Sequence, residues 1–180
     1  MALEFNIDES WTLFLDRDGV INKKLENDYV KSWEEFEFLP DTLNALRFIG
    51  NFFGTIVIVT NQQGIGKELM TKHDLKDIHK KMKAEIEEAG GRIDEVYYCP
   101  DLEEDESPCR KPDIGMALMA KKDFPDIDFN KAIMVGDSPS DLKFGINMKM
   151  KTFLVTDDQK AVDSSDFVVK DLLDFIMSVM

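Results

Sequence analysis

Two carboxylates, Asp16 and Asp18, lie one residue apart, directly after the apolar run Thr12 to Leu15 and directly before Gly19. A turn at that point can aim both into one small volume, where like charges repel unless a cation sits between them or one of them holds a proton. The glycine permits the backbone angles such a turn can require. Asp-x-Asp-Gly after a strand is also ordinary turn chemistry, and the tetrapeptide alone serves either purpose. Three further polar groups tip the balance. Thr60 and Asn61 supply a hydroxyl and an amide, Arg110 and Lys111 two cations, and Asp137 and Asp141 two more carboxylates. Brought together, they would hold a divalent cation through hard oxygen ligands and a phosphoryl group through hydrogen-bond donors and positive charge.

Such groups need rigid elements to aim them, and all four follow apolar segments. Thr12 to Leu15, Thr55 to Thr60, Val96 to Tyr98 and Ala132 to Val135 read as short buried strands, the β-branched run Ile56 to Val59 most clearly. Thr152 to Val155 and Phe167 to Val169 are later candidates. Helical patterns alternate with them. Asp41 stands as a cap before Leu43, Leu46 and Ile49, and Thr71 with Asp74 resembles a capping box before Leu75, Ile78, Met82 and Ile86, a helix stopped at Gly90-Gly91. Others run from about Asp113 to Lys122, from Ser138-Pro139, and from Leu172 to Met180. His73 and His79 are read as solvated surface of the second helix, having no ligand-like neighbour at useful spacing. Lys23 to Pro40 reads as a long loop ordered by Tyr29, Trp33, Phe36 and Phe38. The alternation predicts an α/β fold: a doubly wound, Rossmann-like parallel sheet with helices on both faces and its site at the strand C-termini.

Composition narrows the function classes. A chain of 180 residues can bury a substantial core without metal or disulfide staples, which predicts a single domain over 1–180. With 36 acidic and 22 basic residues the net charge is −14, a field that repels nucleic acids and anionic membranes. No apolar run approaches a membrane span, and Met1 to Ser10 lacks a basic start and an apolar signal core, so a cytoplasmic location is expected. Cys99 and Cys109 are too few for a disulfide framework.

The motifs Asp16-Arg17-Asp18-Gly19-Val20, Thr60-Asn61, Lys111 and Gly136-Asp137-Ser138-Pro139-Ser140-Asp141, in this order and each at a strand end, resemble those of the haloacid dehalogenase superfamily of aspartate-dependent phosphohydrolases. The resemblance covers about Leu13 to Val155 and implies a phosphatase. Asp16 would attack phosphorus to form an aspartyl phosphate, and Asp18 would protonate the leaving oxygen and then take a proton from water. Asp16, the backbone carbonyl of Asp18, and Asp137 would hold Mg²⁺. Thr60, Asn61 and Lys111 would bind the phosphoryl oxygens, Lys111 also steadying Asp16. Asp141 would act from behind the metal ligands, or simply favour a helix N-terminus. The segments between Asp16 and Thr60 and between Asn61 and Lys111 are consumed by a helix, a strand and loops, leaving no room for a cap domain.

Within the superfamily, Thr60-Asn61-Gln62 and Cys109-Arg110-Lys111-Pro112 look like the capless group of heptose-bisphosphate and histidinol-phosphate phosphatases. Asp28-Tyr29-Val30 and Phe36 to Pro40 lean toward the D-glycero-D-manno-heptose-1,7-bisphosphate type, whereas the short acidic loop Pro100 to Ser107 has the histidinol-type length; Glu68 stands where a glycine is common. The implied partner is a small phosphorylated metabolite, with Arg110 as the candidate for gripping its distal phosphate in bidentate fashion. A non-enzymatic phospho-acceptor module is the remaining alternative, disfavoured by the acid–base group at Asp18. Relatives in this group commonly carry a structural zinc on two Cys/His pairs. Here the matching positions are Cys99, Asp101, Ser107 and Cys109, a poor donor set, so structural zinc is not expected.

Overall fold

The computed structural model describes residues 6–158 and 165–180, so the first half of the Met1 to Ser10 reading lies outside it. Six strands form one sheet: β1 (Thr12–Leu15), β2 (Thr55–Asn61), β3 (Glu95–Cys99), β4 (Ala132–Gly136), β5 (Lys151–Val155) and β6 (Phe167–Val169). Their order is β3-β2-β1-β4-β5-β6, and every pairing is parallel. The helices are α1 (Thr42–Ile49), α2 (Lys72–Glu88), α3 (Gly115–Asp123), α4 (Pro139–Asn147) and α5 (Leu172–Val179).

Alternation along each strand explains the two layers. Leu13, Leu15, Ile56, Ile58, Ile133 and Val135 point to one face and pack with α1, α2 and α5; Phe14, Val57, Val59 and Met134 point to the other, against α3 and α4. Sheet residues buried on both faces read as continuous apolar runs, and each fully buried Leu, Ile or Phe contributes roughly 1.5–3 kcal/mol. β1 has β2 on one side and β4 on the other. The chain winds outward from β1 to β3, then returns to continue in the opposite direction. The crevice at this reversal, beyond the strand C-termini, is where open α/β sheets bind ligands.

Two local expectations change. Asp41 precedes α1, but its backbone is left-handed (φ 58°) and its side chain makes no cap hydrogen bond. Aspartate tolerates that region; the carboxylate accepts from the Asn44 side chain at 3.4 Å rather than from a backbone N–H of the first turn, while the Asp41 carbonyl still accepts from Ala45 N–H. His79 is buried, correcting its surface reading. The Thr71–Asp74 capping box forms as expected. The loop after β1 is ordered by the ring cluster Trp33, Phe36 and Phe38, and Asn22 bridges Phe38. Glu68 has φ 59°, a conformation that glycine adopts more readily. Among the described residues no helix is long and apolar enough to cross a membrane, and no separate cap stands over the sheet.

Candidate active site

The four sequence groups meet at the C-terminal edge of the sheet. Asp16 leaves β1 with its backbone N–H donating to the Val135 carbonyl at 2.9 Å, which pins it between β1 and β4. Lys111 reaches in from beyond β3 and donates to Asp16 Oδ1 (2.9 Å), Asp141 Oδ1 (2.5 Å) and the Val59 carbonyl (2.7 Å), accounting for its three N–H bonds. Burial works against its charge, but Asp141 and Asp16 outweigh that and hold the lysine above its ordinary value. Burial and the neighbouring Asp141 carboxylate push Asp16 up to about 7, with Lys111 opposing.

Asp141 is fully buried at the third position of α4. Its Oδ2 accepts from the backbone N–H of Asp137 (3.1 Å) and Ser138 (3.0 Å) and from the Ser138 hydroxyl (2.6 Å). Asp141 therefore caps the N-terminus of α4 and also accepts from Lys111, a contact that its sequence position did not foretell. A Cβ on Gly136 would lie 2.2 Å from the Asp141 Cβ, so the strand end must be glycine for the helix to approach. Asn61 does something unforeseen: its amide N–H donates to the Lys111 carbonyl (3.1 Å) and its Oδ1 accepts from the Lys111 N–H (2.9 Å). It clamps the backbone of the lysine loop. Thr60 is buried beside it, its Oγ1 accepting from Gln62.

Asp16, Asp137 and Asp141 present carboxylate oxygens within 4.8 Å of one another. Two observations fit a cation here. Asp137 Oδ1 is buried without a hydrogen-bond partner, and Asp137 is packed so closely on Gly19 (φ 88°) that a Cβ there would sit 2.2 Å from Asp137 Oδ2. Burial pushes Asp137 up, against the Lys24 ammonium that donates to Oδ2 at 2.8 Å. With Asp141 saturated by the lysine and the α4 N-terminus, Asp16 and Asp137 are the side chains left to ligate, in an oxygen-only set suited to Mg²⁺.

Asp18 lives in a separate environment. Its carboxylate accepts from Arg17 Nη2 at both oxygens (2.9 and 3.1 Å), from Asn22 Nδ2 (2.9 Å) and from Gln62 Nε2 (2.8 Å). Burial would raise its pKa, but the Arg17 guanidinium and these hydrogen bonds win and hold it below the ordinary carboxylate value. The cavity over these groups has a volume of about 240 Å³ and is walled by Leu25, Tyr29, Val30 and Arg110. Tyr29 ties the loop after β1 to the loop after β2, its hydroxyl accepting from Gln63 Nε2 at 2.8 Å. Cys99, Asp101, Ser107 and Cys109 also converge, with Asp101 Oδ2 at 2.5 Å from Ser107 Oγ; the two sulfurs are joined as a disulfide, a local pairing that cysteine number did not suggest.

Sequence reasoning missed Arg17, Asn22, Lys24, Gln62 and His79. Arg17 is completely buried, and its Nη1 lies 3.1 Å from His79 Nε2. Arginine only donates, so this imidazole nitrogen accepts. Burial and the Arg17 charge lower His79 from 6.5 to about 3. Between those values the unfolded chain binds a proton here that the folded chain excludes, so the contribution of His79 to stability is full above about pH 6.5 and declines as pH falls toward about 3. His79→Gln should flatten the acid limb of the stability curve by up to about 1.4 kcal/mol per pH unit. Paired urea melts over that range would check it, and parallel curves would refute a neutral buried imidazole.

An aspartate pair, a lysine between carboxylates and a parallel sheet with no cap together define a phosphohydrolase class. A family model described as polynucleotide kinase 3 phosphatase matches residues 4–172. The chain belongs to this family, within the capless haloacid dehalogenase-type phosphatases, and is an enzyme of that kind. Its curated relatives include the D-glycero-alpha-D-manno-heptose-1,7-bisphosphate 7-phosphatase of Mycobacterium bovis, 41% identical over 138 residues, which cover 77% of this chain and 73% of that one. The D-glycero-beta-D-manno-heptose-1,7-bisphosphate 7-phosphatase of Haemophilus influenzae is 33% identical over 173 residues, 90% and 92% of the two chains. The crystal structure of a D,D-heptose 1,7-bisphosphate phosphatase from B. bronchiseptica, complexed with magnesium and phosphate, superposes with a TM-score of 0.84 at 30% identity, covering 94% of this chain and 97% of that one.

Proposed function

We propose that this protein is a single-domain, Mg²⁺-dependent phosphomonoesterase that works through an aspartyl phosphate, on a sugar phosphate of the D-glycero-D-manno-heptose-1,7-bisphosphate type. The observation that carries the reading is Asp16 held by Lys111 at the floor of the cavity, with Asp18 two residues on in an environment of its own. Asp16 attacks phosphorus as the bond to the leaving oxygen breaks, and Asp18 delivers a proton to that oxygen. Water then attacks the aspartyl phosphate while Asp18 takes its proton, and Asp16 is regenerated. The donors around Asp18 favour the ionised form required in this second half. The entering phosphate charge raises its proton affinity for the first. A bound Mg²⁺, held by Asp16, Asp137 and the Asp18 carbonyl, offsets the negative charge of carboxylate and phosphate. Lys111 steadies Asp16 and adds positive charge, and Thr60 and Asn61 border the phosphoryl position.

The family description includes a polynucleotide, but a net charge of −14 opposes one and favours a small phosphorylated metabolite, away from membranes. The test is phosphate release from heptose bisphosphates, histidinol phosphate and common sugar phosphates, with Mg²⁺ and after its removal by chelator. Mg²⁺-dependent release with the highest kcat/KM on a heptose bisphosphate is expected; no release from any phosphomonoester would overturn the reading, and preference for histidinol phosphate would replace the substrate. Arg110, on the cavity wall, grips the distal phosphate. Arg110→Ala should raise KM for a bisphosphate by roughly 10- to 100-fold, the worth of a charge-assisted pair, and for a monophosphate by no more than about 3-fold. Equal losses would place Arg110 at the reacting phosphate instead.

The loop carrying Arg110 holds no structural zinc in this reading, because one carboxylate and one hydroxyl replace half of a Cys/His tetrahedron. Metal analysis of reduced protein dialysed without chelator should find no stoichiometric zinc. One zinc per chain, lost together with thermal stability in Cys99→Ser, would show otherwise.

A further inference from the structure

We propose that His79 is a positioning residue for the acid–base step: its Nε2 fixes the buried Arg17 guanidinium in the orientation that holds Asp18. The inference rests on the role given to Asp18 in the proposed function. Arg17 follows the nucleophile directly and is, among the described residues, the largest side chain with no exposure at all. Its Nη2 grips both oxygens of Asp18, its Nη1 meets His79, and its Nε has no partner. With Nε already unpaired, losing the His79 contact would leave a further buried donor unsatisfied, so that contact favours the observed guanidinium orientation over alternatives. Among the described residues, His79 is the side-chain acceptor that the structure gives Arg17 besides Asp18.

His79 is itself rigidly placed. It lies on α2 between Leu75 and Met82, on the face that Leu75, Ile78, Met82 and Ile86 bury against the sheet, and the Tyr98 ring of β3 meets it edge-on, 6.2 Å between centroids. The chain of contact therefore runs from a helix packed on the sheet, through imidazole and guanidinium, to the carboxylate that handles the proton. Asn22 and Gln62 complete the Asp18 cradle but hold one oxygen each. Only Arg17 spans both, so a loosened guanidinium lets the carboxylate rotate.

The consequence is selective. A misoriented Asp18 impairs proton delivery to a poor leaving group and leaves attack on a good one almost untouched. The experiment compares kcat/KM, which reports the first half-reaction, for an alkyl phosphate and an aryl phosphate with an acidic leaving group. His79→Leu should lower the alkyl value by about 10-fold or more and the aryl value by less than about 2-fold, with Mg²⁺ activation unchanged. His79→Gln, which restores an acceptor within reach of Nη1, should recover most of the loss. Equal losses on both substrates, or no recovery with glutamine, would reduce His79 to a packing residue and overturn the inference. If leucine does not fold, His79→Phe fills the same space without an acceptor and is judged by the same ratio. Wild-type protein inactive on both phosphates would instead overturn the phosphatase reading, and this inference with it.

Discussion

Asp16→Asn loses turnover by about 10³-fold or more while remaining folded, since an amide cannot form the acyl phosphate on which both half-reactions depend. The fold should survive because asparagine keeps the shape, and its carbonyl oxygen still accepts from Lys111 at the position of Oδ1. The substitution also removes a carboxylate that burial and Asp141 already press toward protonation, so the electrostatic cost of losing the ion pair is partly offset. Phosphate release under saturating substrate and Mg²⁺, on protein shown by mass spectrometry to be free of deamidated chains, is the measurement. Retention of more than a few per cent of wild-type kcat would end the covalent mechanism. Asp18→Asn offers a contrast: with a good leaving group the first step proceeds and the second does not, so phosphorylated protein should accumulate in acid-quenched samples.

Lys111→Ala should be as damaging to activity and far more damaging to stability. The ammonium is the common partner of Asp16, Asp141 and the Val59 carbonyl, three acceptors on three segments. Removing one member of a buried ion pair leaves the other charge uncompensated at about 3–5 kcal/mol, which for a chain of this size lowers Tm by roughly 6–20 °C. Mg²⁺ supplies positive charge to the same carboxylates and should raise the melting temperature of Lys111→Ala by more than it raises that of the wild type. An unchanged melting temperature would contradict the buried junction. A loss of activity with no Mg²⁺ response would mean that the carboxylates no longer converge.

How much of this was readable in advance depends on the kind of signal each residue carries. The β-branched run Ile56 to Val59 and the Thr71–Asp74 box declare themselves locally and appear where the sequence puts them, whereas Lys111, read as following β3 directly, comes in from a loop well beyond the strand's end at Cys99. Arg17 gives no such sign, because a charged residue between two aspartates looks like a spacer until the sheet closes over it. His79 did carry a signal. It sits four residues after Leu75 and three before Met82, on the apolar stripe of α2, and ligand spacing alone was the wrong criterion for it. Asp41 misled because its residue type suits a cap and a left-handed turn equally, and the choice is made by the path of the chain after Pro40. Asn61 was read as a phosphate-binding residue from its type and its place at a strand end, and its clamp on the Lys111 backbone is a tertiary fact with no trace in either segment.

The strand order has a consequence for how the enzyme comes into being. Asp16, Thr60, Lys111 and Asp137 arrive from β1, β2, the loop after β3 and β4, neighbours in space but far apart along the chain. Parallel pairing of this kind is assembled late, after long loops have closed. The Lys111 junction cannot form until β1 lies between β2 and β4 and α4 has docked. Turnover therefore reports on the central sheet: a collapsed chain with all its helices but β1, β2 or β4 misplaced would be inert, and recovery of activity on refolding marks the docking of these strands with α4.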